Sequence, residues 1–72
     1  MDKLKLQYKR KCKEQTCKDM GDLIGRSETT YRKKETGEIK FTPEEVVKIA
    51  KHLDLTSSEV NEIFFDGNLP DR

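Results

Sequence analysis

An all-α fold of five short helices in one compact domain is what this sequence predicts, and three observations lead there. Apolar residues recur at i, i+3 and i+4, the spacing of one helix face. Thr16, Ser27, Thr42 and Thr56 each stand where a helix N-cap is wanted. Gly25, Gly37 and Gly67 each fall where a helix should stop. The chain has 72 residues, 32% hydrophobic and 40% charged, so its core must be small and assembled from several amphipathic pieces. Chains of this size bury only about 60% of their unfolded surface, which leaves a narrow stability margin.

The first helix should run from about Lys3 to Lys13, with Leu4, Tyr8 and Cys12 at i, i+4, i+8 as its apolar stripe and Leu6 adding width. Its lysines then face water. Thr16 caps the second helix, and Asp19 sits at N3 to accept from free N–H groups. Met20, Leu23 and Ile24 form its apolar face, and Gly25 ends it. Ser27 caps a third helix over 28–36, whose one large apolar residue is Tyr31. A helix with so little to bury is not stable alone. Neighbours must hold it, and its polar surface is left for another use.

Thr42-Pro43-Glu44-Glu45 combines an N-cap, proline at N1 and glutamate at N3, and starts the fourth helix. Val46, Ile49, Ala50 and Leu53 follow on one face, with Phe41 placed as the staple residue before the cap. Thr56-Ser57-Ser58-Glu59 repeats the device for the fifth helix, where Val60, Ile63 and Phe64 face inward. Gly67 and Pro70 close regular structure and leave a tail over 66–72. The predicted core is the set of stripe residues Leu4, Tyr8, Met20, Leu23, Ile24, Tyr31, Val46, Ile49, Ala50, Leu53, Val60, Ile63 and Phe64.

Composition excludes several classes. No segment approaches the roughly 20 apolar residues of a membrane span, and the charged start lacks a signal-peptide core, so a cytoplasmic protein is expected. Cys12, Cys17 and the single His52 do not make a zinc set. The two cysteines read as ordinary buried or half-buried thiols. No metal, cofactor or catalytic constellation is expected. The net charge of +1 hides an asymmetry: residues 1–34 hold 11 Lys/Arg against 5 Asp/Glu, and residues 35–72 hold 4 against 9. A basic half beside an acidic half suggests one face turned towards phosphates.

The basic half carries the segment that speaks to function. Residues 16–37, TCKDMGDLIGRSETTYRKKETG, read as a helix, a tight turn and a second helix. That second helix carries Thr29, Thr30, Arg32 and Lys33 on surface that packing does not need. A helix presented this way fits the major groove of duplex DNA, where its first residues reach base edges.

From about residue 3 to 66 the chain resembles the helix-turn-helix repressors of the lambda-repressor and Cro type. The resemblance is most specific in DLIGRSETTYRKKETGEIKFTPEEVVKIAKHLDLTSSEVNEIFF and closest to short Cro-like regulators of phages of Gram-positive bacteria. It implies a recognition helix capped by Ser27, with Glu28, Thr29, Thr30 and Lys33 at base-reading positions. Arg32, Thr36 and Lys40 fall where phosphate contacts are common. Thr16 matches the scaffold-helix cap, Gly21 the small residue that lets the two helices approach, and Gly25 the turn. Arg10 and Glu35 fall where several members form a partly buried ion pair.

Three departures bear on affinity. Cys17 replaces a common glutamine, Gln15 and Lys34 replace apolar residues, and Glu28 places a carboxylate at the leading edge of the reading head, where phosphates repel it. Two functions therefore stay open. The first is a sequence-specific regulator binding operator DNA in a phage lysis–lysogeny switch. The second is an antirepressor, a modulator of repression that covers a partner phage repressor with the same surface. Phe65 should be partly exposed, being about 100° round the helix from Phe64. The acidic second half opposes self-association, so a monomer or weak homodimer is expected.

Overall fold

The structure, a computed structural model, describes residues 1–65. The predicted tail over 66–72, with Gly67, Leu69 and Pro70, lies outside the described residues. Five helices follow in order: α1 (Lys3–Cys12), α2 (Cys17–Ile24), α3 (Glu28–Glu35), α4 (Pro43–His52) and α5 (Ser57–Phe64). The described residues contain no strand.

The caps read from sequence are made. Thr16 and Asp19, Thr42 and Glu45, and Thr56 and Glu59 form reciprocal capping boxes at α2, α4 and α5. Ser27 accepts from the Thr30 N–H at α3. One cap was not foreseen: Asp2 accepts from the Lys5 N–H and starts α1. The Asp2 N–H also donates to the Ile63 carbonyl at 2.8 Å, which ties the start of the chain to α5. Gly25 ends α2 in the left-handed region at φ 72°, and Gly37 follows α3 at φ 93°. The two C-terminal boundaries that moved, α1 to Cys12 and α3 to Glu35, shifted by one residue, as fraying helix ends do.

Leu6, Met20, Ile24, Tyr31, Ile49, Leu53 and Ile63 form the buried cluster, and Cys17, Leu23, Phe41, Leu55 and Phe64 pack against it. Val46 is buried, while Ala50 and Val60 are half-buried. Phe41 lies edge-on to Phe64 at 5.4 Å and tilted against Tyr31 at 6.0 Å, so the residue before the α4 cap joins α3 to α5.

The α1 stripe is the main correction. Leu4 and Tyr8 point into solvent, and Cys12 is exposed rather than buried. The inward face of α1 is instead Leu6 and Arg10, one turn apart. Leu4 is two residues from Leu6 and so about 200° round the helix, which puts both on one packed face only in a helix buried all round. Arg10 decided the rotation, because its guanidinium meets Glu35 inside.

Candidate nucleic-acid interface

The turn between α2 and α3 is tight because Gly21 allows it. A Cβ on Gly21 would stand 2.9 Å from the Arg26 carbonyl oxygen and 3.0 Å from that of Ser27, both backbone atoms that cannot swing away. The Arg26 N–H donates to the Gly21 carbonyl at 2.8 Å, which closes the turn. Helices α2 and α3 therefore lie against each other in a helix-turn-helix-like arrangement.

Helix α3 faces inward through Tyr31, Lys34 and Glu35, at i, i+3 and i+4. Two buried polar networks hold it. In the first, Arg10 donates through Nε to Glu35 at 2.9 Å and through Nη2 at 3.2 Å, and the Tyr31 hydroxyl donates to Glu35 at 2.7 Å. Arg10 also donates to the Gln15 carbonyl at 2.9 Å. Burial, then the bond to Glu35, pushes the Tyr31 phenol far above its usual range. For Arg10, burial opposes the charge, but the hydrogen bond and field of Glu35 outweigh it and leave the guanidinium more firmly protonated. The ion pair anticipated between Arg10 and Glu35 is thus present, with Tyr31 as a third member.

The second network was not foreseen. Lys34 donates to Glu45 at 2.8 Å, with both side chains about 6% exposed, and to the Lys40 carbonyl at 3.1 Å. Arg26 reaches the other Glu45 oxygen at 3.5 Å. Burial alone would raise the Glu45 carboxyl, but the Lys34 bond, the Thr42 N–H and Arg26 bring it below its ordinary value. Lys34 also stands 5.9 Å over the Phe41 ring. A lysine at an expected apolar position therefore fills it with its stem and pairs its head. The usable signal was the spacing of Lys34 from Tyr31, which puts both on one face.

The outward surface carries the anticipated reading residues, with one exception. Ser27, Glu28, Thr29, Arg32, Lys33, Thr36 and Lys40 are exposed. Thr30 is half-buried, and its hydroxyl oxygen accepts from Ser27 at 3.0 Å. It sits at N3, beside the cap, where its own N–H also donates to the Ser27 hydroxyl at 3.1 Å. Arg32 pairs with Glu28 at 2.7 Å across one turn. Thr36 donates to the Lys33 carbonyl, and its own carbonyl accepts from Lys3 at 3.5 Å. Among the described residues no helix is long and apolar enough to cross a membrane.

Fold and exposed third helix together define the class: a small all-α domain of helix-turn-helix-like architecture. No family model, curated protein or solved structure matches the chain.

Proposed function

We propose that this protein is a small transcriptional regulator of the Cro-like type that sets α3 in the major groove of an operator, as in a phage lysis–lysogeny switch. The observation that carries this reading is the division of α3. Its inner face is immobilised by two buried networks, while Thr29, Arg32 and Lys33 stand outward on a helix whose packing does not use them. A held helix with a varied polar face behind a tight turn is what direct base readout requires. Thr29 and Lys33 read bases, and Arg32, Thr36 and Lys40 meet phosphates. The test is a shift assay against the DNA beside the protein's own gene over a salt series. Affinity should fall steeply with salt, in proportion to the phosphates neutralised.

A second reading, an antirepressor that covers the reading surface of a partner repressor, is favoured by the charges. Of the cations in the basic half, Lys5, Lys9, Arg10, Lys18, Arg26, Arg32 and Lys34 already stand within 4.0 Å of a carboxylate. Two of these, Arg10 and Lys34, are buried and out of reach of phosphate. Glu28 occupies Arg32 at the leading turn. An antirepressor should bind DNA feebly at every salt concentration yet form a stoichiometric complex with the neighbouring repressor. In that case Glu28→Lys should break the protein complex and leave DNA affinity unchanged or higher.

A further inference from the structure

Sorting the cations around α3 by partner separates its two ends. At the N-terminal end Arg32 pairs with Glu28, and Arg26 with Glu45. At the C-terminal end Lys33 and Lys40 are exposed, and among the described residues neither has a carboxylate within 4.0 Å. A third ammonium joins them from outside the helix-turn-helix. Lys3, the first residue of α1, is exposed and likewise has no carboxylate within that distance. It donates to the Thr36 carbonyl at 3.5 Å, a long bond to a neutral acceptor. Lys3, Thr36, Gly37 and Lys40 line one groove, and no carboxylate of the described residues lines it with them. The acids nearest in sequence are placed otherwise: Asp2 accepts from the Lys5 N–H at the α1 cap, and Glu38 is exposed with no cation within 4.0 Å.

The fold holds Lys3 in this place. Thr36 is the C-cap of α3, so its carbonyl belongs to the negative end of the helix dipole and draws an ammonium to it. Helix α1 is fixed by Leu6 and Arg10 on its inner face and by the Asp2 N–H on the Ile63 carbonyl. A lysine head is a compact charge with three donors, and one long bond leaves the others for an anion. We propose that Lys3 binds the DNA backbone: its ammonium holds a phosphate of the strand that crosses the C-terminal end of α3, beside Thr36 and Lys40. The proposal rests on the operator reading of α3 and adds to it a contact from an element outside the helix-turn-helix. It also weights the phosphate footprint towards the C-terminal end of α3, because the cations at the other end are shared with carboxylates. The contact carries no sequence information, since a phosphate is the same beside every base.

The test is the salt dependence of DNA binding by the full chain, as wild type, Lys3→Gln, Lys3→Arg and Lys11→Gln. The probes are the duplex from beside the protein's own gene and an unrelated duplex of equal length. Lys11→Gln removes the same charge from an exposed position at the other end of α1. Lys3→Gln should weaken binding to both duplexes by the same factor, about fivefold at roughly 0.1 M salt, and lower the slope of log affinity against log salt by about 1. Lys3→Arg should keep the wild-type slope, and so should Lys11→Gln. Lys3 is exposed and glutamine favours helix, so the melting temperature of Lys3→Gln should not move. A steep wild-type slope that Lys3→Gln leaves unchanged would overturn the Lys3 contact and leave the operator reading standing. So would an equal fall in slope with Lys11→Gln, which would make net charge the cause, or a loss confined to one duplex. Feeble wild-type binding at every salt concentration would remove the operator reading and the Lys3 contact together.

Discussion

Glu35 and Glu45 are the residues on which the third helix depends. Each is a nearly buried carboxylate with two or more donors, and a buried charge is tolerable only while those donors remain. Arg10→Met leaves Glu35 buried with the Tyr31 hydroxyl alone, and should cost about 3–5 kcal/mol in urea denaturation, much of what a marginal domain has. The double variant Arg10→Met/Glu35→Leu should cost clearly less, and a cycle without coupling would remove the pair from the account of stability. Acid should act through Glu45 and Glu59. The Glu45 carboxyl lies below its ordinary 4.5 when folded, and the Lys9 hydrogen bond, with the Thr56 N–H, brings Glu59 to about 2. A carboxyl depressed by folding stabilises above its unfolded value and stops doing so as pH falls through its folded one. Thermal melts should therefore be level from neutrality to about pH 4.5 and drop below it, with a shallower drop in Glu45→Gln. Tyr31 has the opposite sign. Its phenol is raised by folding, so its contribution is present below pH 10 and is lost as pH climbs further.

At the scale of the element, the turn and the face of α3 respond to different changes. Gly21→Ala sets a methyl 2.9 Å from backbone oxygen, so α2 and α3 must separate; a loss of about 1–3 kcal/mol is expected from the same denaturation curves. An unchanged midpoint would mean that the two helices are not held as closely as the structure has them. Just past α1 and α4, Glu14 at φ 54° and Asp54 at φ 59° take positions where glycine usually stands and where no sequence signal marked the turn. On the outer face, Lys33→Ala should leave the melting curve within about 0.5 kcal/mol, as surface substitutions do. If DNA is the partner, the same change should cost about 1–3 kcal/mol of binding and relax choice at one base pair. Unchanged DNA and repressor binding after substitution of Glu28, Thr29, Arg32 and Lys33 together would show that the working surface lies elsewhere.

At the scale of the whole molecule, the small core and the uneven charge of the two halves of the sequence both bear on assembly. Phe65 and Ile39 are about two-fifths exposed and line, with Phe41, Val46 and Phe64, a groove of about 510 Å³ beside the end of α3. That is enough apolar surface to invite self-contact at high concentration, yet residues 35–72 carry the acidic excess that opposes it. Sedimentation at micromolar concentration should find mainly monomer. A dimer that survives dilution to nanomolar would reverse this and strengthen the operator reading, since two copies of α3 could then be spaced by roughly 34 Å, one DNA turn.

What the sequence determined by itself was local: five helices, the caps of α2 to α5, the glycine stops after α2 and α3, the tight turn at Gly25, and the exposed polar face of α3. Capping boxes and glycine stops act within a few residues, so their chemistry is legible without knowing the fold. The pairing of Arg10 with Glu35 was legible too, but only through the resemblance. Tertiary structure decided which face of α1 turns inward, because Leu4–Tyr8–Cys12 is as good a helical stripe as Leu6–Arg10. The choice went to the face that delivers a guanidinium to Glu35. It also decided that Lys34 and Glu45, eleven residues apart, would share a buried site, and that the Thr30 hydroxyl would meet Ser27 at the cap. Such pairings depend on the distance between helices, and a periodic pattern along one helix carries no record of what its neighbour presents.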